Sequence, residues 1–212
     1  MILPDLKLEK SLWEKGYINV AGLDEVGRGP LAGPVVASCV VVLNENQMID
    51  GVKDSKKMTK KRREEVFEKI KEVSTGYGVG VVDNNRIDEI GIRYAVREAM
   101  VSALNNMIKD FNIIPNYLIA DGGILLIDDY DMRSIIKGDM YHYTISAASV
   151  LAKVTRDRIM QEYAIKYPDY CFESHVGYGT KKHLEAIYKY GVLDIHRKSF
   201  EPIKSLVYNS KD

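Results

Sequence analysis

The sequence predicts an α/β fold: a sheet of about five strands flanked by helices, followed by a helical C-terminal extension. Three observations carry that expectation. Short valine-rich runs bounded by glycine, proline and asparagine read as strands at 17–23, 35–43 and 76–82, with a shorter one at 117–120. Other segments repeat apolar residues at helical spacing, most clearly 88–112. No repeat, low-complexity run or linker interrupts the 212 residues, so one domain is expected, with a core at about 17–167 and the extension at about 168–212.

In chain order, 2–15 scatters Ile2, Leu3, Leu6, Leu8, Leu12 and Trp13 among polar neighbours and reads as a packing arm or short helix. The runs 17–23 and 35–43 are neighbouring strands joined by a glycine- and proline-rich corner, and 44–51 is a loop. Thr59 is placed to cap a helix in which Val66, Phe67, Ile70 and Val73 keep helical spacing. A third strand, 76–82, precedes the amphipathic helix 88–112, whose stripe from Ile92 through Met100 and Leu104 to Phe111 belongs in the core. After Pro115, the strand 117–120 carries Asp121 at its far end, immediately before Gly122 and Gly123. The connection 124–130 follows. Asp128, Asp129 and Asp131 read as a solvated turn, because no calcium-loop spacing is present. A fifth strand is expected at 134–137, and Asp139 follows Gly138. The helix 146–167 has a small-residue face, Ala147, Ala148, Ser149 and Ala152, that suits close packing, and Pro168 stops it. Thr180 caps a last helix with Leu184, Ile187 and Tyr188 facing inward until Gly191 ends it, and 203–207 is one more apolar segment.

Hydrophobic residues at 46% and charged residues at 28% are ordinary for a soluble globular chain. No apolar run approaches bilayer length, so a cytoplasmic protein without a membrane partner is expected. Cys39, in a strand-like run, is expected to be a buried reduced thiol; with Cys171 the only other cysteine, neither a disulfide framework nor a zinc site is supported. His142, His175, His183 and His196 show no metal-ligand pairing and read as structural, as do Lys153, Arg156, Asp157 and Arg158. Thirty basic residues balance thirty acidic ones, so net charge names no partner. Local runs at 53–63, 181–183 and 196–198 point instead to a groove for a polyanion.

The corner holds the chemistry. Asp24 and Glu25 follow an apolar run and precede Gly27, Arg28 and Gly29. An isolated Asp-Glu pair is ordinarily a solvated surface dipeptide, but one set between two apolar runs amid glycine and proline is not ordinary. Side chains alternate along a strand, so both acids can reach one site only if the strand ends or bends between them, and the glycines are expected to supply the bend. Arg28 offers a fork of donors suited to phosphate. Asp121 repeats the placement of Asp24 at the C-terminal end of a strand, where α/β sheets place ligands. Asp24, Glu25, Asp121 and Asp139 make an all-oxygen set suited to Mg2+ or Mn2+, and two such cations roughly 4 Å apart can hydrolyse a phosphodiester.

The run from Gly22 to Ala37 resembles the signature of the type 2 ribonucleases H, the ribonuclease HII family. Later blocks agree in order and spacing: Asp54-Ser55-Lys56-Lys57, Ala120-Asp121-Gly122, Lys137-Gly138-Asp139, the segment 147–158, Gly177-Tyr178-Gly179-Thr180 and the segment 195–200. The resemblance implies an RNase H-like fold with a mixed sheet. It implies an endoribonuclease that cuts the RNA strand of RNA–DNA hybrids and incises at ribonucleotides embedded in DNA, leaving 3′-hydroxyl and 5′-phosphate ends, as a monomer. It places the same four acids on the metals, Gly27, Arg28 and Gly29 on the phosphate and the ribonucleotide 2′-hydroxyl, and Tyr178 against the next deoxynucleotide sugar. A replication clamp is a further partner to consider. Tyr141 and Val176 stand where the family often has lysine. The alternatives are a non-catalytic hybrid-binding module, which would not need four acids, and ribonuclease HIII, whose extra N-terminal domain has no counterpart expected here.

Overall fold

The computed structural model describes residues 3–123 and 126–209, so Ile2 of the arm and Ile124 of the connection lie outside the described residues. Strands β1 (Val20–Val26), β2 (Val35–Val41), β3 (Gly76–Val82), β4 (Tyr117–Asp121) and β5 (Met132–Ile135) form one sheet in the order β3-β2-β1-β4-β5. The β1–β2 and β2–β3 pairs are antiparallel, and β1–β4 and β4–β5 are parallel, so the sheet is mixed. β2 is buried along its whole length, as its unbroken apolar run requires, whereas β3 at the sheet edge alternates.

The helices are α1 (Lys7–Trp13), α2 (Lys60–Val73), α3 (Asn84–Ile90), α4 (Ile92–Phe111), α5 (Gly138–Tyr141), α6 (Tyr143–Lys166), α7 (Phe172–His175), α8 (Lys181–Tyr190) and α9 (Ile203–Asn209). On one face of the sheet, Val96, Ala99, Met100 and Leu104 of α4 pack on Leu23, Ala37 and Cys39. On the other, α6 and α2 bury Ala147, Leu151, Val66 and Ile70 against Val40 and Val42. The C-terminal helices share a third cluster with the core, in which Phe172, Ile187 and Ile203 meet Leu31, Ala32 and Met160.

The small-residue face of α6 lies on the sheet as expected. A β-carbon at Gly22 would stand 2.3 Å from Thr144 Oγ1, so only glycine lets α6 approach β1 this closely. The Ser38 hydroxyl donates to the Ala148 carbonyl at 2.6 Å across the same seam.

Several boundaries differ from the sequence reading. The amphipathic stretch 88–112 is two helices: Asp83 caps α3, and Gly91, at φ 80°, turns the chain into α4. The apolar stripe runs on across the break, which hides it from periodicity. β5 begins and ends two residues earlier than the expected strand, its end set by Lys137, which takes a left-handed turn at φ 60° and cannot extend it. α6 begins three residues earlier than expected. Its N-terminus is capped from α1, where the buried Glu9 carboxylate accepts from the Thr144 N–H at 3.2 Å and hydroxyl at 2.7 Å. Tyr188 is 67% exposed rather than inward, while Ile187 is buried. Among the described residues no helix is long and apolar enough to cross a membrane.

Candidate active site

The parallel pairing of β1 with β4 builds the centre. Its last register pair is Leu23 with Ala120, so Asp24 and Asp121 each stand one residue beyond it on adjacent strands. Leu23 and Ala120 face the α4 side, which turns both aspartates to the opposite face, toward α6. Asp24 is buried and hydrogen-bonded to Ser149 of α6. Burial and the charges of Glu25 and Asp121 hold its carboxyl well above the usual range. Asp121 Oδ1 accepts the Gly138 N–H at 2.6 Å, which joins the end of β4 to the start of α5.

β1 neither ends nor bends between Asp24 and Glu25; it continues to Val26, contrary to the expectation from alternation. Glu25 nonetheless interacts with the charges of Asp24 and Asp121, while its main-chain N–H bonds to Asp24 Oδ1 at 2.7 Å and Arg28 donates to its Oε1 at 3.0 Å. Burial raises its pKa, with the charge of Asp121 acting in the same sense and Arg28 opposing. Its second oxygen, Oε2, is buried without any hydrogen-bond partner.

Asp139 lies in the first turn of α5, not at a strand end. Its carboxyl is pushed up to about 6 by burial and by the charges of Asp121 and Asp54, against Lys56 and Lys57. Lys56 faces the same cluster. Burial alone would lower its pKa, yet Asp24, Asp139, Asp54 and Asp121 together raise it. Sequence reading places Lys56 in a basic run and in the Asp54-Ser55-Lys56-Lys57 block, but gives it no role at the acids.

Gly27, at φ 95°, turns the chain out of β1, and Arg28 and Gly29 are exposed at the tip. Tyr178 faces them: it is 44% exposed, and a β-carbon on Gly29 would lie 3.6 Å from its ring. The structure thus brings all eight expected residues to one end of the sheet. Asp128 pairs with Arg97 and Asp131 accepts from Tyr17, away from the centre, as a surface turn should.

Within the basic runs, Lys57, Lys60, Lys61, Lys181, Lys182 and Lys198 are exposed, but other members are spent on the fold. Arg63 binds the carbonyls of Ser55 and Met58 and pairs with Asp157, and His183, His196 and Arg197 are wholly buried. Three of the four histidines pack together in the C-terminal extension: His175 stacks on His183 at 4.5 Å and His183 on His196 at 5.2 Å. Cys39 is a free, buried thiol with its pKa pushed up to about 12 by burial.

Among the described residues, no three His, Cys, Asp or Glu side chains already close into a metal cage. The donor set nevertheless fits a hard cation. It is all carboxylate, the pKa values of Asp24, Glu25 and Asp139 are raised by burial and by neighbouring carboxylates, and Glu25 Oε2 is a buried acceptor with nothing to accept from.

A mixed α/β sheet with acids gathered at the C-terminal edge of its parallel strands, beside an exposed glycine turn, defines a metal-dependent nuclease of the RNase H-like class. Comparison with known proteins agrees. The sequence model of the family Ribonuclease HII matches residues 21–203. A ribonuclease HII of Clostridioides difficile is 51% identical over 192 residues, covering 91% of this chain and 73% of that protein. One of Bacillus mycoides is 50% identical over 201 residues, covering 95% and 76%. The crystal structure of ribonuclease H2 from Pyrococcus horikoshii superposes with a TM-score of 0.74 at 29% identity, over 92% of this chain and 99% of that one. The ribonuclease HII in a complex with PCNA from Archaeoglobus fulgidus gives 0.71 at 25%, over 86% and 95%. The chain belongs to the ribonuclease HII family. It is a ribonuclease H, an endonuclease acting on RNA–DNA hybrids with a divalent metal.

Proposed function

We propose that Asp24, Glu25, Asp121 and Asp139 hold the divalent cations, Mg2+ or Mn2+, and that Gly27, Arg28, Gly29 and Tyr178 select the junction to be cut. The register that sets Asp24 beside Asp121 carries this reading. Bound there, two cations supply an activated water and stabilise charge on the phosphoryl and leaving oxygens. The protein's part is to hold the acids in place. Ser149 orients Asp24, the Gly138 N–H orients Asp121, Arg28 fixes one oxygen of Glu25, and Lys56 balances charge across the cluster. At the turn, main-chain N–H groups donate to the phosphate oxygens and to the oxygen of the ribonucleotide 2′-hydroxyl, the group that separates RNA from DNA. The Tyr178 ring lies where the next sugar passes and leaves no partner for a 2′-hydroxyl there. Cleavage then falls at a single embedded ribonucleotide and leaves 3′-hydroxyl and 5′-phosphate ends.

The shared cluster of Leu31, Ala32 and Met160 with the C-terminal helices supports one catalytic domain rather than two. The free thiols fit the reducing cytoplasm. The deciding experiment is cleavage of a DNA duplex carrying one ribonucleotide, with Mg2+ and Mn2+ separately, and mapping of the product ends. Cutting of long hybrids alone would restrict the proposal to the hybrid activity; binding of hybrid without cleavage under either metal would favour a non-catalytic module.

A further inference from the structure

Two arginines, Arg156 of α6 and Arg197 near the C-terminus, are wholly buried and yet form no salt bridge among the described residues. Both spend their donors on main-chain carbonyls. Arg197 binds Gly27 at 2.5 Å, Arg28 at 3.0 Å and Gly33 at 3.0 Å, with its guanidinium over the Phe200 ring. Arg156 binds Pro34 at 2.9 Å, Val176 at 2.9 Å and Ala32 at 3.1 Å. Gly27 and Arg28 belong to the exposed turn, and Val176 lies two residues before Tyr178. Asp88 and Asp157 act on them only at longer range. Burial lowers the pKa of Arg156 to about 10 and that of Arg197 to about 9, which still leaves both charged at neutral pH.

A buried charge without a counter-charge is costly, and an apolar residue of similar volume would pack here at less cost. The geometry shows what the charges do. In a trans peptide the C=O and the following N–H point in opposite directions. Because Arg197 draws the carbonyls of Gly27 and Arg28 inward, the N–H groups of Arg28 and Gly29 are turned outward. Among the described residues neither N–H has a partner. Two adjacent free N–H groups backed by buried positive charge make an anion site. Arg156 ties that site to the other loop, and the Leu31 N–H to Gly177 carbonyl bond at 2.8 Å closes the same seam.

We propose that Arg156 and Arg197 are positioning residues for substrate: from beneath the surface they fix the peptide planes of the Gly27-Arg28-Gly29 turn so that its N–H groups meet the phosphate, and lock the turn to the Tyr178 loop. This rests on the reading that the turn contacts substrate phosphate. A lysine at 197 keeps the charge but cannot span two carbonyls with a rigid fork. Losing one charge-assisted bond at the turn, about 1.4 kcal/mol or more, corresponds to about tenfold in binding. Contacts made equally in ground and transition states appear in KM and not in kcat.

The test uses the full chain, isotope-labelled for amide NMR, with inorganic phosphate as probe and hybrid cleavage alongside. In the wild type, the Arg28 and Gly29 amide resonances move on adding phosphate. In Arg197→Lys and in Arg156→Lys those movements shrink and KM for hybrid rises about tenfold, with kcat within about twofold. Leu104→Ala, in the α4 core, loses thermal stability without changing KM. Wild-type amides that ignore phosphate would overturn the reading of the turn itself. Wild-type amides that respond, with an unchanged KM in either folded arginine variant, would overturn only the positioning role. If neither variant folds, through-hydrogen-bond couplings from the Arg197 guanidinium to the Gly27 and Arg28 carbonyls decide in the wild type: they persist with hybrid bound if Arg197 holds the working turn, and their loss on binding refutes it.

Discussion

A β-carbon added to Gly27 would stand 2.4 Å from the Nε of Arg156, and 2.7 Å from the Pro34 carbonyl that this same nitrogen binds. Gly27 also sits at φ 95°, a conformation that resists any side chain. Gly29 differs: its φ is not positive and a methyl would meet only the Tyr178 ring at 3.6 Å, an ordinary contact. Gly27→Ala should therefore cost on the order of 2–3 kcal/mol of stability and lower the melting temperature clearly. Gly29→Ala should leave melting nearly unchanged but fill the gap where a sugar must pass, cutting cleavage at an embedded ribonucleotide by tenfold or more, on the order of a lost close contact. Thermal melts and single-turnover cleavage of both variants check the contrast; equal effects would mean that the two glycines share one structural role.

The same contrast shows what a sequence can disclose. Asp24 and Asp121 are legible because an apolar run that ends in a carboxylate before glycine is an uncommon pattern, and the valine-rich strands are legible for the same local reason. Arg156 and Arg197 are not. Sequence reading makes Arg156 structural and leaves Arg197 in a basic run, and the burial of either becomes visible only when Gly27, Arg28 and Val176, in other loops, supply carbonyls around them. The run His196-Arg197-Lys198 illustrates this: its composition suggests a basic patch, and only Lys198 is exposed. Glu9 is hidden in the same way, since Thr144, which it caps, lies 135 residues later along the chain. Asp139 was found through its block, but its helical setting depends on Lys137 entering a left-handed turn, which residue type does not announce.

Asp121→Asn tests the metal site. The amide oxygen can still accept the Gly138 N–H that Asp121 Oδ1 holds at 2.6 Å, so the junction of β4 with α5 survives. What disappears is a charged ligand. The variant should fold, lose the rise in melting temperature that Mg2+ or Mn2+ gives the wild type, and cleave hybrid on the order of a thousandfold more slowly. Near wild-type turnover with either metal would remove Asp121 from the site.

Lys56 offers a test that does not need catalysis. Its ammonium faces Asp24, Asp139, Asp54 and Asp121 and partly stands in for a cation. Lys56→Met should lower stability in metal-free buffer, where the carboxylates then repel one another with less opposing charge, and saturating Mg2+ should restore it. The metal concentration giving half of the thermal shift should fall relative to wild type, because a competing positive charge is gone. Melting curves across a metal series decide this, and an unchanged midpoint concentration would mean that Lys56 and the cations do not share the same field.

Acid should unfold the C-terminal extension through its histidines. The Leu193 N–H donates to His196 Nδ1 at 2.8 Å, so the His196 Nε2 carries hydrogen and donates to His183 Nε2 at 3.1 Å, which leaves His183 Nδ1–H for the Tyr178 carbonyl at 2.9 Å. A proton added to either ring destroys this chain of bonds. Burial accordingly lowers both pKa values from about 6.5 to about 4, with the neighbouring histidines adding to the effect at His183. A folded-state pKa below the unfolded value means that the unfolded chain binds more protons, so this contribution is complete above pH 6.5 and is lost as pH falls toward 4. A difference of this size is worth on the order of 3 kcal/mol for each ring. Asp24, Glu25 and Asp139 act in the opposite sense, since their raised pKa values mean that protonation relieves the cluster, so melts must be run at saturating Mg2+ to isolate the rings. Under those conditions the melting temperature should drop steeply from pH 6.5 to pH 4.5. In His183→Phe, which keeps an aromatic edge-to-face contact with Phe172 but loses one protonation site, stability should be lower at pH 7 and the slope about half as steep. A variant slope equal to that of the wild type would place the acid sensitivity elsewhere in the fold.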